Sequence, residues 1–117
     1  MGLEKQKRIT TASQFLNYAI VTDGIDRFIH FFIVLDALFG ERGDVERLIT
    51  EGVKSVFPEN PIWDYKMSKL FNLRSELVHG GCSSITDWKD FDLYRNHTKS
   101  HPYRDVAEAA ILSFKNI

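Results

Sequence analysis

The stretch Ile25–Phe39 constrains this chain more than any other. Read at about 100° per residue, Asp26, Arg27 and His30 fall on one narrow polar arc, while nearly every other position is Phe, Ile, Val, Leu or Ala. A helix that is apolar around most of its circumference has to be surrounded by protein. The rest of the chain must therefore supply helices that wrap it. Its most apolar part, Phe28 to Phe39, is about 12 residues long and is interrupted by His30 and Asp36, short of the roughly 20 that a membrane span requires. Asp36 lies off the polar arc, among apolar neighbours, where a carboxylate needs a donor, a cation or a proton. Gly40 ends the helix.

The flanking segments read as the wrapping helices. Met1 to Ile9 is charged and is expected to be a loose lead-in. Thr11-Ala12-Ser13-Gln14 has the form of a capping box, so a short first helix is expected through Phe15, Leu16, Tyr18, Ala19 and Ile20. Asp44 is placed to cap a third helix carrying Val45, Leu48, Ile49, Val53, Val56 and Phe57, with Gly52 as an interior weak point of about 1 kcal/mol relative to Ala. Asn60 and Pro61 open the next helix, and Gly80-Gly81 close it. Residues 82–101 read as a long loop or a short helix around Asp87–Arg95, and Pro102 opens a last helix to about Asn116. The expected fold is all-α, an antiparallel bundle of about five helices forming one domain over residues 1–117.

Composition agrees with one core and narrows the functional classes. The 117 residues are 44% hydrophobic and 13% aromatic, enough for a single domain. A formal net charge of −1 exerts no global pull toward nucleic acid, so RNA binding would need a local patch or a groove built by two copies. Cys82 is the one cysteine, which excludes an internal disulfide and a multi-cysteine metal site. Met1–Thr10 lacks the apolar character of a secretory signal. The expected setting is cytoplasmic, without a membrane, a metal or a cofactor.

Candidate chemistry concentrates between Asn60 and Gly81. Trp63, Met67, Leu70, Leu77 and Val78 recur at helical spacing, and Arg74 falls near the middle of the face they share. A guanidinium there needs a partner or a task, and Asp36 is the candidate partner. His79 stands at the helix end beside two glycines. A fixed cation and a titratable imidazole suit phosphodiester chemistry, because histidine moves protons near neutral pH and guanidinium stabilises charge on phosphoryl oxygens. Residues five apart lie about 140° apart around a regular helix. One chain would therefore not aim both groups at one point unless the helix end unwinds, and a symmetric dimer would gather two Arg and two His in one cleft.

Two segments in this order resemble a known family. Ile33-Val34-Leu35-Asp36-Ala37-Leu38-Phe39-Gly40 and Leu70-Phe71-Asn72-Leu73-Arg74-Ser75-Glu76-Leu77-Val78-His79-Gly80 are similar to the acidic helix and the Arg-x4-His helix of the Apea-like branch of the HEPN superfamily. The resemblance covers roughly residues 13 to 117. It implies a helical, usually dimeric domain, and many relatives are metal-independent endoribonucleases of toxins, antiphage defence and RNA processing. By that resemblance His79 is the general acid/base for attack of the ribose 2′-OH, and Arg74 stabilises the developing charge. Asp36 occupies the family's acidic position, usually Glu, where it would orient Arg74. Ser75 replaces the Asn, Asp or His that often follows the Arg in active relatives. Gly80-Gly81 stand where some toxin members place a tyrosine for modification by an antitoxin, so that pairing is not expected and any antitoxin or partner domain is unidentified.

A reading of a different class treats the chain as a non-catalytic helical dimerisation or interaction module, or as an RNA-binding domain of a larger defence or regulatory system. Arg74 and Asp36 would then form a structural pair. The remaining clusters are weaker. His97 and His101 are four apart but beside Pro102, and no third ligand completes a metal site. Lys89, Arg95, Lys99 and Arg104 with Trp88, Tyr94 and Tyr103 would suit RNA contacts, but Asp87, Asp90, Asp92 and Asp105 offset their charge.

Overall fold

The computed structural model describes residues 2–117, and among them the fold is an all-α bundle of six helices with no strand. They are α1 (Leu3–Val21), α2 (Gly24–Phe39), α3 (Val45–Val56), α4 (Trp63–Val78), α5 (Phe91–Thr98) and α6 (Pro102–Lys115). The count exceeds the expected five because the segment before α6 contains a helix of its own, α5, preceded by a loop over 82–90.

The start of the chain differs from expectation. Met1 lies outside the described residues, but Leu3 to Thr10 are helical, so Thr11–Gln14 is the interior of α1 and not its cap. Arg8 explains why the charged lead-in is ordered. Its Nη1 donates to the carbonyls of Gly40 (2.9 Å) and Ala37 (3.3 Å) at the end of α2, where helix carbonyls otherwise lack partners. Arg27 of α2 returns the arrangement. Its Nε donates to the Thr22 carbonyl at 2.7 Å and its Nη2 to that of Ile20 at 3.2 Å, at the end of α1. Each helix of this hairpin thus caps the other.

Wrapping of α2 is real but incomplete. Phe28, Phe31, Phe32, Val34 and Leu35 are buried, against α1 along its length and against α6 and α3. Ile29 and Ile33, one turn apart on another side, stay partly uncovered. Gly52, the weak point of α3, has a packing reason, since a Cβ there would run into the Phe39 ring. The close approach of α2 and α3 requires its absence.

At the opposite end of the bundle, α4 begins at Trp63 after a turn in which Asn60 Oδ1 accepts from the Ile62 amide at 3.2 Å. Trp63 stacks on Phe57 with centroids 4.5 Å apart. The 82–90 loop is anchored by buried Ile85 and Trp88, and Trp88 Nε1 donates to Asn72 Oδ1 at 2.9 Å. A polar knot then ties α4, α5 and α6. Asp105, 2% exposed, accepts from Lys66 Nζ (3.3 Å), Tyr94 Oη (2.5 Å) and Ser100 Oγ (2.6 Å). Lys66 also lies 4.7 Å from the Trp63 ring centroid, a favourable cation–π contact. Burial, followed by the bond to Asp105, pushes the Tyr94 phenol far above its ordinary range. Among the described residues no helix is long and apolar enough to cross a membrane.

Candidate functional site

The C-terminal end of α4 and the open side of α2 enclose a cavity of about 270 Å³, lined by Ile29, Phe32, Ile33, Arg74, Ser75, Val78 and His79. Three of the four residues singled out in the sequence meet here. The fourth, Asp36, does not.

Arg74 is half-buried, with its guanidinium carbon 5.4 Å from the Phe32 ring centroid and 5.8 Å from that of Phe71. Those two rings are 5.3 Å apart. The aromatic faces attract the cation electrostatically, and the apolar stem packs where the charged head need not be sunk. This resolves how an arginine sits on the apolar face of α4. Among the described residues no carboxylate forms an ion pair with it.

His79 is held by the way α4 ends. The last helical residue is Val78, and His79 is the C-cap with φ −94° and ψ 6°. Gly80 follows in the left-handed region at φ 78°, and the Gly81 amide donates to the Glu76 carbonyl at 2.7 Å. That six-to-one bond with a left-handed residue between is the Schellman closure, for which glycine carries no Cβ penalty. The Ser75 carbonyl accepts twice from His79, from its backbone amide at 2.9 Å and from the ring Nδ1 at 2.9 Å. Ser75 Oγ is 3.4 Å from the same ring nitrogen. One chain brings the imidazole and the guanidinium to the lining of the same cavity, with His79 at the C-cap and its ring turned back to the Ser75 carbonyl.

Asp36 corrects the expected set. It is exposed and lines a separate polar concavity with Lys7, Arg8 and Arg42, about a turn beyond Phe32 toward the end of α2. Its carboxylate folds over Gly40, where any Cβ would meet it. An aspartate side chain from that position does not reach Arg74, and the expected Asp36–Arg74 pair is absent.

Other sequence candidates are placed in packing roles. His97 stacks on Tyr65 with centroids 4.1 Å apart. His101 is the N-cap of α6, with Nδ1 accepting from the Tyr103 amide at 3.1 Å. Burial, helped by the nearby Arg95 charge, holds its imidazole below the ordinary histidine range. Trp88 and Tyr94 are core residues, so neither ring is available to stack on a base. Burial, then Glu76 and Asp87, push the Cys82 thiol up. Among the described residues there is no group of three or more His, Cys, Asp or Glu placed to hold a metal.

Sequence reasoning missed the apolar half of the cavity. Ile29 and Ile33 read as core because α2 is apolar nearly all round. The usable signal was their four-residue spacing on an arc apart from Phe28, Phe31, Phe32 and Leu35. Val78, counted with the packed face, is 62% exposed at the rim. Comparison with family models, with curated proteins and with solved structures gives no match.

Proposed function

We propose that the chain is an RNA-acting domain of the HEPN kind, a metal-independent endoribonuclease whose working cleft forms when two copies bring their α4 ends together. The observation that carries this reading is a guanidinium without a carboxylate partner among the described residues and an exposed imidazole, lining one cavity. The exposed Val78 and half-covered Ile29 and Ile33 beside them give the rim a surface that a second copy would bury.

In the proposed reaction one His79 takes the proton from a ribose 2′-OH. The 2′ oxygen then bonds to the adjacent phosphorus, the P–O5′ bond breaks, and the second copy's protonated imidazole gives its proton to the departing 5′ oxygen. The products carry 2′,3′-cyclic phosphate and 5′-OH ends. Arg74 supplies the fixed positive charge for the phosphoryl oxygens as negative charge builds. Asp36 has no part in it.

The displaced Asp36 also favours a second reading, a non-catalytic interaction module in which the same rim is only a dimer surface. Purified protein incubated with mixed RNA in EDTA separates the two, run beside folded His79→Ala and Arg74→Ala variants. The nuclease reading expects cleavage by the wild type and none by either variant. Cleavage that persists in the variants removes the site assignment, and a chain that dimerises without cutting any RNA supports the module.

A further inference from the structure

We infer that the ligand-facing, proton-transferring atom of His79 is Nε2, with the backbone carbonyl of Ser75 and the left-handed Gly80 as the groups that position it. The inference rests on the ribonuclease reading for what Nε2 acts upon, but the ring's placement stands on its own geometry. A carbonyl oxygen has no proton to give. The 2.9 Å contact between His79 Nδ1 and the Ser75 carbonyl is therefore a hydrogen bond only when Nδ1 carries the proton. In the neutral ring the lone pair is then on Nε2, at the opposite edge.

The backbone enforces this choice. The same Ser75 oxygen accepts from the His79 amide, so the backbone and the Nδ1 edge of the ring are tied to one carbonyl. The chain leaves the helix directly after this bond, with His79 at φ −94° and ψ 6° and Gly80 at φ 78°. A Cβ at Gly80 meets no neighbouring atom, so a side chain there would disturb backbone conformation and nothing else. Left-handed backbone is unfavourable for an ordinary L residue, with Asn among the residues that tolerate it. Ser75, by contrast, contributes its carbonyl. Its hydroxyl, at 3.4 Å from Nδ1, is the poorer partner, so the Ser75 side chain is dispensable to the placement of the ring.

The test is the tautomer of His79, read by long-range proton–nitrogen NMR on the whole chain at about pH 8.5, where imidazoles are neutral. The Nδ1–H form should dominate, the reverse of the preference of a free histidine. Ser75→Ala should keep this signature, because the carbonyl remains. Gly80→Ala should shift the ring toward the free-histidine balance and lower cleavage about tenfold or more by misplacing the base, and Gly80→Asn should restore both. A dominant Nε2–H form in the wild type overturns the inference whether or not RNA is cut, as does loss of the Nδ1–H signature in Ser75→Ala. A wild type that shows Nδ1–H but cuts no RNA sinks the ribonuclease reading and leaves the positioning of the ring in place.

Discussion

Helix α4 carries a polar cluster toward each end, and the two are built in opposite ways. Near its start Lys66 is sunk into the core, and around it every charge and hydroxyl is spent on a partner: Asp105 accepts from Lys66, Tyr94 and Ser100. About 12 Å further along at 1.5 Å per residue, Arg74 rests on two phenyl rings with no ion-paired carboxylate among the described residues, and His79 lines the cavity at the surface. The first cluster holds α5 and α6 to the bundle. The second contributes little to holding anything. Polar groups that are buried and fully paired specify a structure, whereas polar groups left unpaired at a cavity are available for a ligand.

Breaking the first cluster should have the largest effect on folding. Asp105→Ala would leave the buried Lys66 charge and the buried Tyr94 hydroxyl without their acceptor. Chemical denaturation should show a loss of about 3–5 kcal/mol, the range for breaking a buried pair by removing one partner. A loss below about 1 kcal/mol would mean that the knot is not closed as described. The same experiment on the second cluster should give the opposite pattern. His79→Ala should stay within about 0.5 kcal/mol of the wild type, as exposed positions do. Arg74→Ala should lose more, about 1 kcal/mol, through its contacts with Phe32 and Phe71.

Proton linkage sharpens the contrast at both pH extremes. The folded chain keeps the Tyr94 phenol protonated beyond its ordinary range. Above pH 10, the ordinary value for tyrosine, the unfolded state gives up a proton that the folded state retains, so stability should fall as pH rises. His101 has the other sign. Its folded-state affinity for a proton is lowered, by burial first, so the unfolded state takes up more protons as pH drops below the ordinary 6.5. Stability from this source is present above that value and lost as pH falls through the lower folded one. His101→Asn, which keeps a capping side chain without a titratable ring, should flatten the acid limb in denaturation curves taken across pH. An effect of the opposite sign is expected at Ser113, whose buried hydroxyl has no hydrogen-bond partner among the described residues. Ser113→Ala should stabilise the chain by about 1 kcal/mol, since it removes an unsatisfied group.

The bundle was legible because helix signals are local. The apolar circumference of α2, the stripe of α3 and the proline opening α6 each announce an element without reference to the others. The polar lining of the candidate cavity was legible at Arg74, Ser75 and His79, because all three lie on one helix and its cap. What lay beyond reading depended on contacts between distant segments. Arg8 orders the start of α1 by reaching the end of α2, 32 residues away, and nothing in the charged run around it signals that. Lys66 and Asp105 are 39 residues apart and each looks like a surface charge in its own segment. Asp36 was misplaced for a related reason: its position on the helix wheel is compatible with Arg74, but its axial position and short side chain are not.

The central claim is that chemistry belongs to the end of α4 and not to the acidic residue of α2. Its most direct test is the rate of RNA cleavage in EDTA by His79→Ala and Asp36→Ala beside the wild type, with the product ends identified. The account predicts 2′,3′-cyclic phosphate ends from the wild type, an unchanged rate from Asp36→Ala and no cleavage from His79→Ala. Equal loss in the two variants, or cleavage by the histidine variant, would contradict it.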